Sequence, residues 1–200
     1  MPTVVSGFRR TALKFVGVGL PVFLLSAAPL KAQTPRAEIS GGYSFMHDND
    51  RSEDFPAGWV ASAIGNVNEW IGVAAEVGGH YRTCENCQRG PFTSGRFRGT
   101  DLHLHVLTYM AGPRVAARAF AALTPFAQVL FGGSHISGGT QWDGALTTGF
   151  TYQPGAGVDI NVTPRAGVRL QGDYRVIRTS GIDNKESRFL VGVVLRYGQL

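Results

Sequence analysis

Lysine is almost absent from this chain. Three of its 19 basic residues are lysines, and beyond residue 32 only Lys185 is one. The arginines that make up the rest are scattered rather than gathered into a run or patch, which excludes the electrostatic footprint of a nucleic-acid binder. Cysteine occurs twice, at Cys84 and Cys87, two ligands short of a zinc site. Beyond Leu25 there is no uninterrupted apolar stretch of about eighteen residues, so a helix crossing an inner membrane is excluded.

What is present begins with a leader. Arg9, Arg10 and Lys14 precede an apolar run from Phe15 to Leu25 that closes on Ser26-Ala27-Ala28 and Leu30-Lys31-Ala32, the layout of a secretory signal peptide. Residues 1–32 are assigned to it, with cleavage after Ala32 preferred to cleavage after Ala28. The leader carries four basic residues and no acid, so its removal leaves 15 basic against 14 acidic residues. The remaining residues, 33–200, form one domain, too small for a wide porin and large enough for eight strands of about ten residues.

From Ile39 to Tyr197 every second side chain tends to be apolar over stretches of about ten residues, as spanning strands of a closed barrel require. Mean hydropathy is −0.01 because lipid-facing and lumen-facing residues cancel. The pattern predicts an all-β fold, an eight-stranded antiparallel up-and-down transmembrane β-barrel. Its strands are expected at 37–46, 58–67, 70–80, 101–115, 123–133, 151–162, 166–177 and 188–197. Short connections at Asn68-Glu69, Arg118–Ala122 and Thr163–Arg165 alternate with long ones at 47–57, 81–100, 134–150 and 178–187, the asymmetry of periplasmic turns and external loops.

The strand faces follow from parity. Ile71, Val73, Ala75 and Val77 alternate with a face holding Glu76, and Ala156, Val158, Ile160 and Val162 alternate with a face holding Asp159. An arginine facing acyl chains at mid-depth costs about 2–4 kcal/mol, so the charged faces are expected to point inward. Glu38, Glu76, Asp159 and Asp173 are then expected to meet Arg169, Arg175, Arg188 and Arg196 in a plugged, ion-paired lumen, where the planar guanidinium binds carboxylates bidentately. On this reading Val158→Arg damages folding more than Asp159→Asn. Trp59, Trp70, Phe126, Tyr174 and Tyr197 fall where an interface girdle would want them. The fourth strand fits no single register: Leu102, Leu104 and Val106 demand one, Tyr109 and Ala111 the other, and a bulge near Leu107 would reconcile them.

Several segments together carry a resemblance: Gly41-Gly42-Tyr43-Ser44-Phe45, Asn66-Val67-Asn68-Glu69-Trp70, Gly112-Pro113-Arg114, Thr124-Pro125-Phe126-Ala127-Gln128 and Val168-Arg169-Leu170-Gln171-Gly172-Asp173-Tyr174. Over about residues 36–198 the chain resembles the bacterial outer-membrane β-barrel family related to the OmpA transmembrane domain and OmpX. The resemblance implies a small eight-stranded barrel in the outer membrane with a role in envelope integrity, adhesion or surface defence. It also implies assembly by the barrel-assembly machinery and contact with outer-membrane lipid and lipopolysaccharide. One departure is the end of the chain, where Gly198-Gln199-Leu200 follow Tyr197, the aromatic on which such barrels usually finish.

Chemistry-bearing residues gather at the expected outer rim. All five histidines, His47, His80, His103, His105 and His135, map to external strand ends, and a solvated rim is preferred there to a metal site. His135-Ile136-Ser137 is similar to the His-x-Ser pair of lipid A deacylases, also eight-stranded barrels. A hydrolase would use Ser137 as nucleophile and His135 as base, with Asp143 to orient it only if the intervening loop folds back, so a polar loop start is preferred. Cys84 and Cys87 are candidates for a small disulfide in an oxidising compartment, worth about 2 kcal/mol. Arg82, Arg89, Arg96 and Arg98 of loop 81–100 are candidates to face lipopolysaccharide phosphates, and loops 81–100 and 134–150 to bind an extracellular ligand. Nothing calls for a cofactor, and the expected role is structural or surface-interactive rather than enzymatic, with the acyl hydrolase as the alternative.

Overall fold

The computed structural model describes residues 34–50, 52–84, 102–120, 122–139, 147–179 and 182–200. The leader, Cys87, Asp143 and Arg89, Arg96 and Arg98 lie outside them, as do most of loop 81–100 and the tip of loop 134–150. Among the described residues the structure is all β: β1 (Ala37–Asp48), β2 (Glu53–Phe55), β3 (Ala57–Asn66), β4 (Ile71–Cys84), β5 (Leu102–Ala116), β6 (Leu123–Gly139), β7 (Thr147–Asn161), β8 (Ala166–Thr179) and β9 (Ile182–Tyr197). Each long strand pairs antiparallel with the next, and β9 returns to β1 from Ala37↔Tyr197 to Asp48↔Glu186, which closes the sheet and removes its edges.

The barrel has eight staves because β2 and β3 are one of them. Both pair with β1, but Met46 faces Phe55 while Tyr43 faces Trp59, so the second stave holds one residue more than β1 opposite it. Pro56 marks this bulge, where a residue without an N–H costs no ladder bond, and its carbonyl accepts a hydrogen bond from the Tyr43 hydroxyl. At the β1–β9 seam Gly42 faces Gly192, and a Cβ on Gly42 would overlap the Val191 carbonyl and the Gly192 Cα. The seam closes because both positions lack a side chain.

The tight turns are held by side chains. Asn68 Oδ1 accepts from the backbone N–H of Trp70 and Ile71 at 2.8 Å each, and Thr163 Oγ1 accepts from Ala166 N–H at 2.9 Å. These turns and both described termini lie at one end, the end expected to be periplasmic.

At the outer end the strands run further than the alternation suggested. β4 extends to Cys84, β6 to Gly139, and β8 and β9 pair up to Thr179↔Ile182, so only Ser180 and Gly181 lie between them where a ten-residue loop was expected at 178–187. Once a hairpin leaves the bilayer its outward face meets water and headgroups, and pairing continues without the apolar alternation that reveals a strand.

The fourth stave also corrects expectation: it has no bulge. Pairing runs without a slip from Ile71↔Val115 to Cys84↔Leu102 on one side and from Ala116↔Phe126 to His103↔Gly139 on the other. Leu107, Tyr109 and Val115 face out, whereas Val106 and Met110 are buried inside. Val106 belongs to an apolar cluster with Met46, Phe55 and Ile177, against which Leu104 and Ile136 pack. An apolar inward run reads as a register conflict only if the whole lumen is assumed polar.

Candidate functional site in the barrel lumen and at the outer rim

Charged side chains of the inner faces assemble into two layers. In the periplasmic layer Asp159 of β7 accepts a bidentate pair from Arg169 of β8, Nε at 2.7 Å and Nη2 at 2.9 Å, and a third bond from Arg114 of β5 at 3.2 Å. Arg196 of β9 stands 3.8 Å away. Glu38 of β1 faces Arg169 at 3.4 Å and Arg114 at 3.7 Å. The Arg114 guanidinium lies 3.8 Å and that of Arg169 4.9 Å from the ring centroid of Phe126, which is buried in the lumen. Phe126 is therefore not a girdle residue. The other four expected girdle aromatics are exposed, on the outward face or, for Trp70, in the turn before β4.

Arg118 closes this layer from below. It lies in the periplasmic connection between β5 and β6, and its guanidinium donates to the Glu69 carbonyl at 2.7 Å, to Glu38 Oε1 at 2.8 Å and to Asn66 Oδ1 at 3.0 Å.

The outer layer is centred on Arg188 of β9, which reaches Asp173 of β8 at 2.6 Å and Glu76 of β4 at 2.8 Å. Gln153 of β7 donates to Glu76 at 3.2 Å and accepts from Arg175 Nε at 2.8 Å, while Arg175 faces Glu186 at 3.6 Å. His80 is also inside, with Nε2 at 2.9 Å from the Ser44 hydroxyl. Above this layer sits the apolar cluster around Met46 and Phe55. Buried charges are tolerable in this setting because each charged member of the two layers lies within 4 Å of an opposite charge.

At the rim the histidines part company. His80 points inward, whereas His103, His105 and His135 lie on the outward parity of β5 and β6. His103 Nδ1 is 3.1 Å from Thr83 Oγ1 and His135 Nδ1 is 3.4 Å from Thr148 Oγ1. Tyr81 packs edge-on against His105, ring centroids 4.9 Å apart, and accepts a 3.1 Å hydrogen bond from Trp59 Nε1. His47 lies on β1, 2.6 Å from Asp54. Among the described residues no group of three potential metal ligands is drawn together.

On the outer β8–β9 hairpin Arg178 clasps Asp183 at 2.8 and 3.0 Å. These hydrogen bonds hold the Asp183 carboxyl below its ordinary range and raise Arg178 in return.

His135 and Ser137 share one outward face of β6, in a strand rather than at a loop start, and no hydrogen bond joins their side chains. Among the described residues the group that meets His135 is the Thr148 hydroxyl. Cys84 ends β4. Arg82 is half-buried on the inward parity of β4, with its guanidinium 5.9 Å from the Phe55 ring centroid, so its side chain does not point outward.

A family model described as the outer membrane protein beta-barrel domain matches residues 18–196. The chain belongs to this family. Among solved structures this outer-membrane barrel is similar to Neisserial surface protein A, with 15% identity, TM-score 0.57 and coverage of 80% of this chain and 96% of that one. It is also similar to Ail, the attachment invasion locus protein of Yersinia pestis, in complex with the heparin analogue sucrose octasulfate: 17% identity, TM-score 0.52, coverage 80% and 97%. The N-terminal β-barrel domain of Pseudomonas aeruginosa OprF matches at 10% identity and TM-score 0.50, with coverage of 82% and 100%. At these identities the likeness is one of fold. No curated protein matches the chain by sequence.

Of the residues singled out from sequence, the fold brings Glu38, Asp159, Arg169 and Arg196 into one layer of this outer-membrane barrel and Glu76, Asp173, Arg175 and Arg188 into the other. Arg114, Arg118 and Glu186 were missed. Arg114 shares the inward parity of Met110, a signal that the outward Tyr109 and Ala111 already carried; Glu186 shares the parity of Arg188 but fell in the expected loop 178–187. Arg118 belongs to no strand, so no periodicity pointed to it.

Proposed function

We propose that this chain is a structural and surface-interaction barrel of the bacterial outer membrane, with a lumen closed to solutes and no catalytic activity. The observation that carries the reading is the pair of ion-paired layers reaching across the lumen, one latched below by Arg118 and the other lying under the apolar cluster of Met46, Phe55, Val106 and Ile177. A solute would have to break several bidentate or shared charge pairs in succession, and each opened pair leaves a buried charge uncompensated. The test is electrical. Purified protein inserted into a planar bilayer should carry no steady current, and a sustained ohmic conductance that scales with salt would refute the closed lumen.

In this reading residues 1–32 export the chain and are removed, which sequencing of the mature N-terminus checks. The barrel-assembly machinery inserts it, lipopolysaccharide surrounds its outer half, and loops 81–100 and 134–150 meet an extracellular ligand. Support for a surface role lies in the outer hairpins, whose strands continue past the apolar band. The acyl-hydrolase alternative is weakened because His135 meets Thr148 and makes no hydrogen bond to Ser137.

A further inference from the structure

The periplasmic layer carries more positive charge than it can pair. Arg114, Arg118, Arg169 and Arg196 face two carboxylates, Glu38 and Asp159, which leaves a formal surplus of two cations. The rest of the chain does not make up the difference. Among the described residues the further acid at this end is Glu69, exposed in the turn before β4, and residues 1–33 and 121 contain none. The undescribed stretches that hold acids, 85–101 and 140–146, connect strands at the opposite end of the barrel. In the outer layer Glu76 and Asp173 meet Arg188, and Glu186 meets Arg175.

The surplus falls on Arg114. Arg169 takes Asp159 by two hydrogen bonds and Arg118 takes Glu38 at 2.8 Å, so Arg114 and Arg196 are left with the longer approaches to Asp159, 3.2 Å and 3.8 Å. The Arg196 side chain is 10% exposed and that of Arg118 6%, whereas that of Arg114 is 1% exposed. Water at the periplasmic mouth reaches the first two and not the third. Two of the three guanidinium nitrogens of Arg114, Nε and Nη1, are buried without a hydrogen-bond partner. Directly across the ladder on β6, the buried Gln128 turns inward, and its carboxamide makes no hydrogen bond among the described residues. Side chains opposed in this way stand about 5 Å apart at Cβ, near enough to share one small ligand. Beyond Gln128 the inward position is Gly155, and Asp173, whose carboxylate covers that glycine, is engaged by Arg188 and Gln171.

We infer that the lumen binds one small inorganic anion, a halide, between Arg114 and Gln128, drawn in from the periplasmic mouth as the counter-ion of this layer. A guanidinium does not shed its proton in a protein, and an uncompensated charge in a packed interior is strongly destabilising, so an ion of opposite sign meets the surplus. The donors on offer suit a monatomic ion, since the free N–H groups of Arg114 and Gln128 are too few for the four oxygens of a phosphate. The inference rests on the ion-paired lumen and not on its closure to solutes. A current across a planar bilayer would refute the closure and leave the anion site standing.

The experiment uses the full mature chain refolded into phosphatidylcholine vesicles and unfolded in urea at several sodium chloride concentrations. Sodium gluconate, whose anion is too large for the site, holds the ionic strength constant. The folded fraction is read from the fast mobility of unboiled samples on a denaturing gel. Above half-saturation the folding equilibrium constant should rise about tenfold for a tenfold rise in chloride, the slope of one ion bound to the folded state. Arg114→Gln and Gln128→Leu should each keep the fast mobility and lose this slope, and Arg178→Gln, on the outer hairpin, should keep both. A flat response of the wild type overturns the inference whether or not the variants fold. An unchanged slope in a folded Arg114→Gln or Gln128→Leu overturns it too. Crystals grown in bromide give a second reading: an anomalous peak against Arg114 and Gln128 is expected, and bromide at exposed side chains alone, an adventitious ion only, overturns the site. Wild-type protein that never shows the fast mobility would instead sink the barrel reading beneath it.

Discussion

Asp159→Asn removes one charge from the periplasmic layer while leaving the shape of the side chain intact. The carboxylate accepts three hydrogen bonds, from Arg169 Nε at 2.7 Å, Arg169 Nη2 at 2.9 Å and Arg114 Nη2 at 3.2 Å, with Arg196 3.8 Å away. Asparagine keeps one acceptor and turns an NH2 donor toward a guanidinium, so about two charge-assisted bonds are lost at about 1.5–3 kcal/mol each. Glu38 is then the remaining acid among Arg114, Arg118 and Arg169. The expected cost is about 3–5 kcal/mol, the range for breaking one partner of a buried pair. The control is the neighbour, Val158→Arg, which points at lipid near the periplasmic turn; its cost falls from the mid-depth value toward about 1 kcal/mol. This reverses the order that parity alone suggested, because parity shows that Asp159 faces inward but not that three arginines share it. Urea unfolding of vesicle-inserted protein, followed by tryptophan fluorescence, gives both numbers. An Asp159→Asn midpoint within about 1 kcal/mol of wild type, or a smaller loss than that of Val158→Arg, would refute the account of this layer.

Gly42→Val should abolish the fast-migrating unboiled form on a denaturing gel, since its side chain would collide with the Val191 carbonyl at the closing seam; an unchanged shift would mean that the seam lies elsewhere. In a Cys84→Ser, Cys87→Ser background, a fluorophore on Leu107→Cys should be quenched by brominated lipid tails and one on Val106→Cys should not, because Leu107 faces out and Val106 lies in the outer apolar cluster. Quenching at Val106→Cys would restore the bulge. Incubation with lipid A or phospholipid should release no fatty acid, and Ser137→Ala should change no envelope phenotype; release that disappears in Ser137→Ala would promote the hydrolase reading, with Asp143 the next residue to test.

Most of the wall was legible in the sequence because lipid enforces it position by position. Ile71, Val73, Ala75 and Val77 could not exchange faces with Glu76 without placing a carboxylate in hydrocarbon, so a slip of one residue is penalised all along β4. The same rule fails where no lipid acts. Arg178, Asp183 and Lys185 stand on the outward face of an ordinary antiparallel hairpin, yet their charges made that stretch read as loop. The second stave hid its extra residue in the same way, since Pro56 lies beyond the alternating stretch and only the pairing of Met46 with Phe55 exposes it.

Inside the barrel parity tells which residues enter the lumen but not whom they meet, because partners come from strands far apart in sequence and the tilt of the staves decides their level. Glu38 and Arg169 are separated by 131 residues and meet through the β1–β9 closure. Phe126 shows the limit most plainly: its position near a strand end suits a girdle, yet its even parity with Thr124, Gln128 and Leu130 turns it inward, where two guanidinium groups lie against its ring. Leu104 and Val106 are the mirror case, apolar residues drawn inward to a cluster that the sequence gives no reason to expect in a polar lumen. Both exceptions come from one physical fact. The interior of a narrow barrel is a packed core, and a core admits an aromatic ring beneath arginines or a patch of methyl groups wherever the volume and the charge pairs around it are matched, whereas the bilayer outside admits no such exchange.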